Sequence, residues 1–347
     1  MTMSVHTFEL KTQLSGEETK AVRDALYTYA KGKKDMCYPQ NNRLYFNRWC
    51  DEGVRFFLES SASVPGSTLH LVVTPAKVLG SNDAAALVVP STERVNKIYI
   101  AIEDILSWLP IERHSYQMQL SRLDLCRNIF VPEQRYVDAY IRLLKKGSST
   151  TGWEVQSYPE GDERDAHSFR RISRYYQVTV YDKLYQIERE GYHTDYDGTS
   201  RILRVEVSIL RPGIKEELSW CTANIDDRWP YQILELADNG AFTMRRVLHR
   251  LVSDMPYYTL SAISEYLATT DISSAKQSHL LCFLHKINRY DLLDEKRIKK
   301  DFDNGKKRLK QLKELKINPV TIEARAGIPY LPSLDQLIAA SIVEFKV

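Results

Sequence analysis

Tyr116–Val131 reads YQMQLSRLDLCRNIFV and runs into Pro132–Gly147, PEQRYVDAYIRLLKKG. The first stretch predicts a long strand. The second predicts a helix, with Pro132 placed for its first turn and Gly147 for its stop. Strand-like runs follow at Trp153–Ser157, His167–Arg171, Tyr175–Lys183 and Ile202–Leu210. The same scheme stands upstream. VHTFELKTQL alternates like a strand, Ser15 caps the helix GEETKAVRDALYTYAKG, and Gly32 suits its end. RLYFNRW and VRFFLES, separated by CDEG, read as a hairpin, and TLHLVVTP as a further strand. STERVNKIYIAIEDILSWL has helical spacing and stops before Pro110. A β-α-β-β order thus occurs twice.

The pattern predicts an α+β fold in which tandem ferredoxin-like units form one antiparallel sheet with helices, followed by a C-terminal helical domain. The expected divisions are 1–111, 112–228 and 229–347, the last helical and basic, with its boundary near Asp226–Pro230.

Composition narrows the classes. With 43% hydrophobic and 27% charged residues the chain reads as globular. No apolar run approaches a membrane span, and MTMSVHTFELKTQ has no apolar core, so a cytoplasmic protein without a membrane partner is expected. Five scattered cysteines without C-x-x-C spacing argue against a disulfide framework or a zinc ribbon. The net charge is only +3, but Lys286–Lys316 holds twelve Lys/Arg against six Asp/Glu, including Lys306, Lys307 and Arg308. Arg164, Arg170, Arg171 and Arg174 form a second cluster among tyrosines, of which the chain has 21. Basic residues interleaved with aromatics suit phosphate contacts and base stacking; a solvated helix face is the plain alternative for the C-terminal run.

Three strands carry an isolated acid or imidazole among apolar residues: His70 in TLHLVV, Asp124 in SRLDLCRN and Glu206 in ILRVEVSIL. Alternation puts Leu120, Arg122, Asp124 and Cys126 on one face, and Arg204, Glu206 and Ser208 on one face. Groups of this kind on neighbouring strands suit a divalent cation; salt bridges Arg122–Asp124 and Arg204–Glu206 on a polar sheet face are the alternative. In RYYQVTVYDKLYQIERE, Tyr175, Gln177, Thr179 and Tyr181 share one face, and Tyr176, Val178, Val180 and Asp182 the other. Tyr175 or Tyr176 could attack a phosphodiester beside a metal. P-loop, dinucleotide-binding, nucleophile-elbow and H-E-x-x-H motifs are absent, as is a His-hydrophobic-His pair.

SRLDLCRNI, YVDAYIRLLKKG, SRYYQVTVYDKLYQIE and ILRVEVSI, in that order over Val54–Pro212, resemble the rolling-circle replication initiators of plasmids and phages, the Rep-trans type in particular. The resemblance implies a Rep/HUH-like sheet, binding to origin DNA as a single strand or hairpin, and nicking of one strand by a tyrosine that joins the 5′ phosphate with Mg²⁺ or Mn²⁺. It implies Asp124 and Glu206 as metal ligands, Lys183 of the Y-D-K motif as a phosphate contact, and a helicase and a second copy of the chain as partners. Two positions depart: Phe169 stands near the expected nucleophile, and Asn128 where a second acid is expected. A non-catalytic DNA-binding protein on the same scaffold, and a single-stranded RNA-binding protein with tyrosine stacking platforms, are the other two readings.

Overall fold

The computed structural model describes residues 2–60, 65–147, 152–159, 161–221, 226–289 and 304–340. The first half runs β1 (Ser4–Leu14), α1 (Gly16–Ala30), β2 (Cys37–Gln40), β3 (Arg43–Phe46), β4 (Val54–Ser60), β5 (Ser67–Val73), α2 (Pro75–Val78) and α3 (Thr92–Ser107). The second runs β6 (Gln119–Val131), α4 (Gln134–Gly147), β7 (Glu154–Val155), β8 (Ser168–Ile172), β9 (Tyr176–Asp182), α5 (Lys183–Glu190), β10 (Arg201–Leu210) and α6 (Arg211–Ser219). Local chemistry sets the ends. The Ser15 hydroxyl accepts the Glu18 N–H at 3.1 Å while the Glu18 carboxylate accepts the Ser15 N–H at 2.7 Å, a capping box worth about 1 kcal/mol. Gly53, in the turn before β4, has φ +90°, and a Cβ there would stand 2.6 Å from the Lys77 Cβ.

These ten strands form one antiparallel sheet in the order β2-β3-β4-β5-β1-β6-β10-β9-β8-β7. The halves meet at β1–β6. In each, a strand and a helix are followed by four strands that meander back to pair with the first, so each half has two more strands than β-α-β-β.

One face of the sheet is apolar. Phe8, Leu10, Phe46, Phe56, Leu71, Leu123, Leu125, Val178 and Val207 pack there against α1, α3, α4 and α6. The opposite face is polar. Helix α5 and the Ala84–Ala85 and Tyr196 segments cover it near Ile202. This alternation lets one sheet hold a core on one side and a polar surface on the other.

The C-terminal part contains α7 (Trp229–Asp238), α8 (Gly240–His249), β11 (Tyr257–Tyr258), α9 (Leu260–Ala268), α10 (Ser274–Arg289), α11 (Gly305–Glu314), β12 (Tyr330–Leu331) and α12 (Leu334–Ala339). The expected division at Trp229 falls inside the main core. Trp229 is fully buried, stacks on Phe8 with centroids 5.4 Å apart, and donates Nε1–H to the Ser115 carbonyl at 3.0 Å. Helices α7, α8 and α12 share the sheet's core, because large side chains such as Trp229 and Met244 bury against it. Among the described residues of this part, α9, α10 and α11 enclose a separate cluster around Ile263, Leu267, Leu280, Phe283, Leu284 and Leu312. Among the described residues no helix is long and apolar enough to cross a membrane.

Candidate acid centre on the polar sheet face

In the β6–β10 register Glu206 lies opposite Cys126 and Ser208 opposite Asp124. Asp124 and Glu206 are therefore diagonal neighbours on the polar face. The Thr7 hydroxyl donates to Asp124 Oδ2, and Arg122 Nε stands 3.2 Å from Oδ1. Glu206 Oε1 accepts the Tyr181 hydroxyl at 2.7 Å and lies 3.0 Å from His6 Nδ1. The β1–β6 ladder slips between Val5 and Phe8, and this irregularity lets the consecutive residues His6 and Thr7 both serve the polar face.

Burial alone would raise the Glu206 carboxyl. The charge and hydrogen bond of His6, with Arg204 and the Tyr181 hydroxyl, outweigh it and bring Glu206 to about 2. Burial, and then the charge of Glu206, push both the Tyr181 phenol and the Cys126 thiol well above their usual values. Tyr181 is thus held as a neutral donor to a charged acid. Burial and Arg204 lower the Lys183 amine to about 8, against the pull of Glu206.

The Y-D-K motif has a structural meaning. Tyr181 is the last polar-face residue of β9, and Asp182 is the N-cap of α5, accepting the Tyr185 N–H at 3.0 Å. Lys183 begins α5, nearly fully buried, and donates to Gln186 Oε1 at 2.9 Å. The sequence placed Lys183 in the strand; the Asp182 cap turns the chain into a helix one residue earlier.

Other expected residues separate. His70 does not join Asp124 and Glu206, because β1 and β6 lie between β5 and β10. Its Nδ1 pairs with Glu9 Oε1 at 2.8 Å, and its Nε2 lies 3.5 Å from Glu59 Oε2. His6 takes the imidazole position instead; its signal was the polar alternation of VHTFE in β1. Leu120 leaves Asp124's face, since a second slip between Glu9 and Leu10 pairs it with Leu10 in the core. Arg122 does pair with Asp124, whereas Arg204 donates to Asn128 Oδ1 at 2.7 Å and to the Ala85 carbonyl at 2.6 Å.

The two tyrosines differ. Tyr176 is buried on the helix side, away from Asp124 and Glu206. It donates to Glu217 Oε1 at 2.5 Å and accepts from Arg246 at 3.0 Å, and burial with Glu217 pushes its phenol up to about 12. That environment opposes phenolate formation. Tyr175, just before β9, is exposed, with the Arg174 guanidinium 5.6 Å from its ring. Phe169 is buried on the helix side. Arg170 shares the polar face and stands over the Tyr158 ring at 5.2 Å, whereas Arg171 is buried against Phe169 on the other side. On α11, Lys306 and Lys307 are exposed, and Arg308 lies over the Phe283 ring at 5.7 Å. The basic run between 290 and 303 lies outside the described residues.

Among the described residues, no three His, Cys, Asp or Glu side chains converge to hold a metal ion. Asp124 and Glu206 are the two carboxylates on this face that could hold a cation. No protein-family model matches the chain, and no curated protein matches it.

Proposed function

We propose that the chain is a replication initiator of a mobile element that binds origin DNA on the polar sheet face and nicks one strand. The observation that carries this reading is the meeting of the R-x-D and R-x-E acids, Asp124 and Glu206, as diagonal neighbours on that face. Under this reading the two halves are the tandem units expected from sequence, the partners are DNA, a helicase and a second copy of the chain, and the nucleophile is Tyr175. The phenol oxygen would attack the phosphorus as its proton passes to water, the 3′ oxygen would leave and take up a proton to become a hydroxyl, and a 5′ phosphotyrosine would remain. Asp124 and Glu206 would hold Mg²⁺ or Mn²⁺, which supplies charge neutralisation at the phosphate. Arg170 and Arg174, with Lys306 and Lys307, supply cations for the backbone.

A second reading, a DNA-binding protein without nicking, draws on Phe169 and on the burial of Tyr176. One experiment separates the two. The protein is incubated with single-stranded oligonucleotides and Mn²⁺ and resolved on a denaturing gel. A covalent adduct that disappears in Asp124→Ala is the expected result. Binding without adduct on any substrate, including the DNA that encodes the protein, moves the assignment to the second reading.

A further inference from the structure

The strand register repeats between the halves. Strand β4 pairs with β5 as β9 pairs with β10, and β4 and β9 are each 7 residues long. Laying the pair Phe8–Val73 on Leu123–Ile209 carries Glu9 onto Asp124, His70 onto Glu206, Glu59 onto Tyr181, Phe57 onto Thr179 and Tyr45 onto Arg170. The first half thus rebuilds the same rows with different chemistry. Where the second half has Glu206, Thr179 and Arg170, the first has His70, Phe57 and Tyr45, continued by Tyr38.

These four planar groups form a continuous row of ring contacts. Phe57 and His70 stack, with centroids 4.5 Å apart and planes 9° apart; Tyr45 and Phe57 are 5.3 Å apart and tilted by 39°; Tyr38 and Tyr45 stack, 5.4 Å apart with planes at 16°. Phe57 is only 5% exposed. The ladder is open at one end, at Tyr38, which lies on the edge strand β2 and is 37% exposed. Lys31 and Lys34 are exposed in the segment leading into β2. Arg43, on β3 opposite Gln40, is already paired with Glu59 at 2.8 Å and lies over the Phe57 ring at 4.8 Å. A flat aromatic face on an edge strand that exposed lysines precede matches a ligand with a planar ring and a phosphate.

We infer that the β2 edge is a second nucleic-acid subsite, where an unpaired base of single-stranded DNA stacks on Tyr38 and its flanking phosphates meet Lys31 and Lys34. The inference rests on the DNA-binding reading above and deepens it. The first half holds the strand, and the acid centre in the second half acts on it.

The test is fluorescence anisotropy of the full chain, without added metal, on a labelled oligo-dT and on an abasic strand of equal length. Tyr38→Ala should weaken oligo-dT binding about tenfold, and Tyr38→Phe should bind like wild type. The abasic strand should bind wild type and Tyr38→Ala equally. Lys31→Ala with Lys34→Ala should reduce the dependence on salt for both strands. Circular-dichroism melts establish that each variant is folded. Equal oligo-dT affinity of wild type and Tyr38→Ala, or equal affinity of wild type for the dT and abasic strands, overturns the stacking subsite and leaves the DNA reading standing. Failure of wild type to bind any strand overturns the DNA reading itself.

Discussion

His6 Nδ1 lies 3.0 Å from Glu206 Oε1 although β6 separates their strands. The imidazole reaches across the polar face, over the row that contains Cys126, and closes on an acid that also accepts the Tyr181 hydroxyl. Three strands, β1, β9 and β10, are thereby tied at one carboxylate.

That carboxylate should mark the acid limb of stability. Glu206 sits at about 2 instead of 4.5, so the folded chain favours its ionised form. The contribution is complete above about pH 4.5 and is lost as pH falls toward 2. Glu206→Gln should cost at most about 3 kcal/mol at neutral pH and progressively less in acid. Urea unfolding of both proteins across that range reads the gap; a gap that stays constant would show that the charge is not what His6 and Tyr181 stabilise.

Lys183 should act in the opposite direction. Its amine falls from 10.5 to about 8 on folding, mainly through burial. The folded chain therefore binds fewer protons than the unfolded chain between those values, and stability rises with pH through that window. Lys183→Met should stabilise the protein most below about pH 8, by up to about 3 kcal/mol, and least above about pH 10.5. Thermal melts on either side of the window measure this, and a pH-independent effect would contradict it.

The two adjacent tyrosines should separate cleanly. Tyr175→Phe is expected to abolish the covalent DNA adduct without changing stability. Tyr176→Phe is expected to keep the adduct and lose about 1–2 kcal/mol, since it removes a buried hydroxyl bonded to Glu217 and Arg246. Adduct formation by Tyr175→Phe that vanishes in Tyr176→Phe would reverse the assignment.

The exposed lysines of α11 should contribute to DNA affinity through phosphate. Lys306→Ala with Lys307→Ala should lower the slope of log affinity against log salt by about 2. Arg308 is left intact because its guanidinium packs over Phe283. An unchanged slope would place the DNA elsewhere.

Much of the fold was legible because alternation and capping are local. β1, β6 and β10 announce themselves by alternating residues, and the Ser15 capping box is written in four consecutive residues, S-G-E-E. The two faces of β9 follow from its alternation, which separated Tyr176 from Tyr181. What failed was non-local. Leu120 and His70 were assigned by simple alternation and by chemical type, but the slip between Glu9 and Leu10 in the β1–β6 ladder moved one into the core, and strand order set the other three strands away from Glu206. Asp182 as a helix cap and Lys183 as a buried helix residue were hidden because D-K reads equally well as the end of a strand.

The sequence by itself determined the long strands β1, β6 and β10 and the helices α1, α3 and α4, because these depend on residue type and on periods of two and 3.6 along a single stretch. Only the tertiary structure decided which imidazole meets Glu206, which tyrosine is exposed, and that Trp229 belongs to the sheet's core. Those outcomes depend on strand order and ladder register, which are set by burying large apolar side chains from distant parts of the chain together, and no local pattern encodes that sum.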